Sequence, residues 1–121
     1  MSEDKNRSQK SQVALALVQI KRLISQNKFR LRDKRQKNLA TLSALGWLPE
    51  DVPAVICDLD VDDYFCGPSD DWNSGDRNCI WEFGKYLPDH QKTIYIKLKV
   101  TEDVLAISFH FQEKAIIYPF K

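Results

Sequence analysis

The sequence predicts an α+β fold, with helices from the first half of the chain packed on a small antiparallel sheet from the second. From about Gln9 to Asn27 the apolar residues Val13, Leu17, Ile20 and Ile24 recur at spacings of three and four, which is one face of a helix. From Cys79 to Phe111 three segments, CIWEFGKYL, TIYIKLKV and VLAISFHF, read as strands. In the middle one Ile94, Ile96, Leu98 and Val100 alternate with Thr93, Tyr95, Lys97 and Lys99, so one row enters a core and the other lines an open face. At 121 residues the chain is large enough for one core without disulfides or metal. It reads as a frayed tail over residues 1–8 followed by a single domain, 9–121.

After the first helix, KFRLR forms a short strand. Asp33 is then placed to cap a second helix that turns Leu39, Leu42 and Leu45 inward and ends at Gly46. Leu48-Pro49-Glu50-Asp51 opens a third helix, with proline in its first turn and acids where the helix dipole favours them, running through Val52, Val55 and Ile56 to about Leu59. The acidic run from Asp58 to Asp63 is not a calcium loop, because an EF-hand begun at Asp58 needs glycine and glutamate where Asp63 and Ser69 stand. Asp60 is instead expected to cap a helical turn holding Tyr64 and Phe65.

From Gly67 to Asn78, GPSDDWNSGDRN is a loop by composition. Within it Trp72 and Arg77 either stack on a base and contact a phosphate, or Trp72 covers the edge of the core. Cys66 has no His or Asp that the sequence places beside it and reads as an inert packing thiol. At the C-terminus EKAIIYPFK adds an edge strand or packs Tyr118 and Phe120 on the body.

The strand register decides what the open face carries. A four-residue loop, Thr101 to Val104, pairs Val100 with Leu105 and Leu98 with Ile107 on the core face, and Lys97 with Ser108 and Tyr95 with His110 on the open one. A three-residue loop would mix the faces. With Trp81 and Phe83 in the core, Glu82 turns to the side of Tyr95 and Lys97. A carboxylate, a phenol, an ammonium, a hydroxyl and an imidazole thus share one sheet face.

The net charge of +1 hides an asymmetry: residues 1–40 hold eleven Lys/Arg against three Asp/Glu, and the remainder seven against fourteen. A basic front of this kind is an electrostatic footprint for nucleic acid or an acidic protein, or else a solvated helix face. No apolar run approaches the ~20 residues of a membrane span, and MSEDKNRSQK lacks a secretory h-region, so a cytoplasmic protein without a membrane is expected. Cys57, Cys66 and Cys79 make no CxxC, and with His90 and His110 they show no ligand spacing; neither disulfides nor a metal is expected.

Taken together, NLATLSALGWLPEDVPAVICDL, DDYFCGP, IWEFGK and IYIKLKV followed by DVLAISFH, with YPF near the end, resemble the MqsR family of type II toxin-antitoxin systems over roughly residues 38–110. The resemblance implies a RelE-like fold, ribosome-independent cutting of single-stranded messenger RNA, and a cognate antitoxin. The family builds its site on a lysine after the D-Y/F-Y/F triplet, a glutamine after Ile-Trp, and the tyrosine of the V/I-Y-I/L-K strand; here Cys66, Glu82 and Tyr95 stand there.

Metal-free RNA cleavage needs a base near the 2′-hydroxyl, a cation at the phosphate and an acid near the leaving oxygen. The open face supplies Glu82 as base, Lys97 as phosphate clamp and His110 or Tyr95 as acid, with no cofactor. An ordinary imidazole titrates near pH ~6.5, which suits either proton role. Lys85, Lys99, Arg77, Trp72, Lys34 and Arg35 are the expected RNA contacts. The alternative is a non-catalytic RNA- or protein-binding module on the same fold.

Overall fold

The computed structural model describes residues 2–121; Met1, in the expected 1–8 tail, lies outside them. Helix α1 (Ser2–Ser25) starts ahead of Gln9. Apolar periodicity marks only the buried part of a helix, so its polar overhang went unseen. Then come β1 (Phe29–Leu31), α2 (Gln36–Leu45), a 3₁₀ turn (Pro49–Asp51) leading into α3 (Val52–Cys57), and a second 3₁₀ turn (Val61–Asp63). Strands β2 (Tyr64–Ser69), β3 (Ile80–Leu87), β4 (Lys92–Val100) and β5 (Val104–Phe111) follow.

The five strands form one sheet in the order β1-β5-β4-β3-β2. Helices α1 and α3 cover one face, where Val13, Leu17, Ile20, Val52 and Ile56 meet Phe83, Ile96, Leu98 and Phe109 in the core. The sheet is mixed rather than purely antiparallel, because β1 runs parallel to β5, from Phe29 opposite Val104 to Leu31 opposite Ala106. No hairpin turn joins these two strands, so nothing forces them antiparallel.

The open-face register is as expected, with Lys97 opposite Ser108 and Tyr95 opposite His110, but the core-face register is not. The β4–β5 turn has three residues, Val100 pairs with Val104, and Leu98 pairs with Ala106. Left alone, this would send Ser108 and His110 into the core. A β-bulge at Ile107, which has no partner on β4, resets the alternation.

The bulge is held by α2. Fully buried Asn38 donates to the carbonyls of Arg32 at 2.9 Å and Ile107 at 3.1 Å and accepts from the Phe109 N–H at 2.9 Å. Thr41 accepts from the Phe111 N–H at 3.1 Å. The free edge of β5 beyond β1 is thereby capped by side chains, as a buried backbone requires.

Local differences have local causes. Helix α2 starts after Arg35 with no side-chain cap, so Asp33 does not serve, and Leu39 faces solvent while Asn38 and Thr41 take inward positions to serve β5. Gly46 ends α2 as expected, at φ 72°, where its N–H and that of Trp47 reach back to the last turn. Asp60 caps its 3₁₀ turn, accepting from the Val61 N–H at 2.6 Å, but Tyr64 and Phe65 belong to β2.

Residues 112–121 form neither helix nor strand. They cross the open face as a strap: Ile116 and Tyr118 lie so close over Gly84 that a Cβ there would collide with both. The strap ends with Phe120 stacked on Tyr64, ring centroids 5.5 Å apart.

Candidate active site

A cavity of about 340 Å³ lies between the open face and the strap. Glu82 of β3, Tyr95 of β4 and His110 of β5 line it, with Phe65 of β2, Arg35 ahead of α2, and strap residues 113–116. Pairing carries the first three into line: Gly84 opposes Tyr95, Tyr95 opposes His110, and Glu82, two residues before Gly84 on β3, shares their face.

Glu82 accepts two hydrogen bonds, from the Tyr95 hydroxyl on Oε1 and from the Cys66 thiol on Oε2, the latter at 2.9 Å. Burial and then the Glu82 carboxylate push the Cys66 thiol up to about 12. The same causes, in the same order, raise Tyr95 above the ordinary phenol range. Both groups therefore keep their protons at neutral pH and hold Glu82 in place as donors.

His110 is almost completely buried, with its ring centroid 5.4 Å from that of Tyr95. Its Nδ1 lies 2.9 Å from the Phe111 carbonyl. A carbonyl only accepts, so Nδ1 carries hydrogen and Nε2 is the nitrogen left for chemistry. Glu113 Oε1 stands 3.9 Å from Nδ1. Arg35 Nη1 donates to Ser108 Oγ at 2.5 Å and to the Ile107 carbonyl at 3.3 Å, so the bulge also fixes the cavity's guanidinium.

The other expected contacts are not brought here. Lys97 lies between Glu82 and Ser108 in the register but does not line the cavity. Lys85 falls in the Trp81–Phe83 row on the helix side, paired with Asp58 at 3.2 Å and Asp63 at 3.4 Å. Lys99 is on the open face but is closed off by Asp71 and Asp76, each at 2.8 Å. Trp72 is 89% exposed on the 70–78 loop, so it does not cover the core, and Arg77 and Lys34 are exposed outside the cavity.

Arg35 was expected only as an RNA contact, and Phe65 and Cys66 were given no part. Strict alternation hides Cys66, which a second bulge places opposite Glu82, and reading Tyr64 and Phe65 as a helical turn hides Phe65. The one sequence signal was the position of Cys66 after the Asp-Tyr-Phe triplet.

Residues 12–111 match the family model described as motility quorum-sensing regulator, toxin of MqsA. The chain belongs to the MqsR toxin family. The match is wider than residues 38–110, which carried the resemblance, and takes in α1 from Gln12. No curated protein and no solved structure matches the chain. An MqsR-family chain is the toxin of a toxin-antitoxin system and implies an antitoxin partner of the MqsA kind. Among the described residues no helix is long and apolar enough to cross a membrane, and no three His, Cys, Asp or Glu side chains gather as metal ligands.

Proposed function

We propose that this MqsR-family toxin is an endoribonuclease that cuts single-stranded messenger RNA in the cytoplasm without a ribosome or a metal, on a RelE-like fold. The observation that carries the reading is the convergence of Glu82, Tyr95, His110 and Arg35 on one cavity. Glu82 takes the proton of the 2′-hydroxyl, whose oxygen attacks the adjacent phosphorus. Arg35 holds the phosphate, the place first expected for Lys97. His110 gives a proton from Nε2 to the departing 5′-oxygen, leaving a 2′,3′-cyclic phosphate and a 5′-hydroxyl. Tyr95 positions Glu82 through its hydroxyl.

Purified protein incubated with single-stranded RNA in EDTA is expected to give these two ends. In a bacterial host, expression of soluble protein without the antitoxin is expected to slow growth and fragment transcripts. Intact transcripts and normal growth would reject the reading.

One observation favours the second reading, a non-catalytic binding module. Cys66 and Glu82 replace the lysine and glutamine of the family pattern, and the Cys66 thiol is bonded to Glu82. If RNA binds in the cavity but is never cut, the module is the better account.

A further inference from the structure

The catalytic scheme leaves part of the cavity unused. Phe65 is the extra residue of the β2 bulge: Tyr64 opposes Phe83 and Cys66 opposes Glu82, with no β3 partner between for Phe65. Alternation would point Phe65 outward and return Cys66 to the core. The bulge instead leaves both on the open face, Cys66 bonded to Glu82 and Phe65 in the cavity wall. Bulges beside functional sites commonly re-aim side chains in this way.

Phe65 is only half-buried, and its apolar neighbours in the cavity are Ala115 and Ile116 of the strap. An aromatic ring left partly bare in a cavity is poorly hydrated and gains from a flat apolar partner. The cavity, about 340 Å³, lies near the small end of the roughly 300–1,000 Å³ usual for ligand sites. It has room for one nucleotide and none for a base pair.

We infer that Phe65 is the stacking platform for one unpaired nucleobase of an RNA strand, whose phosphate lies at Arg35. Unpaired bases are held in this manner, by an aromatic face beside a cation. The inference rests on the RNA reading above and adds a base subsite to it. The occupant is a nucleobase carrying a phosphate, which an RNA strand or a free nucleotide would both offer. The strand is favoured because Lys34 and Arg32, exposed next to Arg35 in the chain, offer further contacts for a continuing backbone.

The test is binding of an uncleavable 2′-O-methyl RNA hexamer, with adenosine 3′-monophosphate as the comparison. Phe65→Leu keeps the apolar character and loses the flat face; it is expected to weaken the hexamer about 5- to 150-fold, the range of one lost base stack. Phe65→Trp is expected to retain affinity, and its indole emission to change on binding, a readout that does not depend on a damaged variant. Hexamer affinity unchanged in folded Phe65→Leu, or Phe65→Trp emission that ignores the hexamer, would overturn the subsite. A mononucleotide bound as tightly as the hexamer would overturn the strand assignment. If the parent cuts RNA while Phe65→Leu binds and cuts equally well, only the subsite falls. If binding depends on Phe65 but the parent never cuts, the ribonuclease reading falls and the subsite stands.

Discussion

Tyr95 and Lys99 lie in the same open-face row of β4, and their surroundings are opposite. Lys99 is held by Asp71 and Asp76, with Ser74 Oγ at 3.0 Å, and these contacts fasten the 70–78 loop to the sheet. Its own charge is further stabilised, its pKa raised chiefly by the bonds to Asp71 and Asp76. Tyr95 instead borders a cavity where Glu82 accepts from neutral donors and where, among the described residues, neither Glu82 nor Arg35 is closed off by an ion pair, Glu113 standing 3.9 Å from His110. A polar sheet face is thus not one thing. Where each charge meets its counter-ion at short range, the cluster is a latch; where charges are held by neutral donors and left facing a cavity, they remain available for a substrate.

This contrast can be broken from either end. The largest effect is expected at the cavity: His110→Ala, compared with the parent at equal folded fraction, should lower RNA cleavage by about 10²- to 10⁴-fold, the usual cost of losing a positioned acid or base. Retained cleavage in single-turnover assays would place the acid elsewhere.

Asn38→Ala should disturb the same site indirectly. It leaves the Phe109 N–H unpaired in a buried place and takes one of the donors from the Ile107 and Arg32 carbonyls, at a cost of about 1–3 kcal/mol for such a loss, readable by chemical denaturation. Because the Ile107 bulge sets both His110 and Arg35, cleavage should fall with it, more than in a surface variant of equal stability.

At the latch the expected signature is in pH. Bonds from Lys99, then Ser74 and the Asn73 N–H, hold the Asp71 carboxyl down at about 2, below the ordinary value of ~3.9. A depressed folded-state pKa adds stability that is present above the unfolded value and lost as pH falls through the folded one. Thermal midpoints of the parent should therefore carry an Asp71 contribution that declines between about pH 4 and pH 2, and Asp71→Asn should flatten that part of the curve. An unchanged acid limb would mean that the loop is not fastened through this pair.

The smallest effect is expected for Cys66→Ser, since a hydroxyl can still donate to Glu82. With the thiol pushed up to about 12, iodoacetamide at pH 8 should label Cys66 more slowly than a free cysteine in peptide. Fast labelling would contradict a protonated donor.

Much of this was legible in the sequence, and what was not has a common cause. The three central strands and the Tyr95–His110 and Lys97–Ser108 pairs follow from a strict period of two. The core-face pairs were misread because two deviations, a shorter turn and a bulge at Ile107, cancel by the time the chain reaches Ser108. Cys66 is hidden for the same reason at β2, where a bulge puts it on one face with Phe65, and Phe65 is hidden because the acidic run before it reads as a helical turn. Alternation carries no mark of a bulge. Nor does it show that a lysine such as Lys85 or Lys99 will meet aspartates far away in sequence. Arg35 and the strap enter the site by tertiary packing alone.

The most direct test of the central claim sets the two clusters against each other in one assay: single-turnover cleavage of the same RNA by Glu82→Gln and Lys99→Gln, each compared with the parent at equal folded fraction. Glu82→Gln is expected to lose at least about 10²-fold, the cost of removing a base, and Lys99→Gln to cut at a rate close to the parent. Equal rates for the two variants, or a larger loss at Lys99, would contradict the claim.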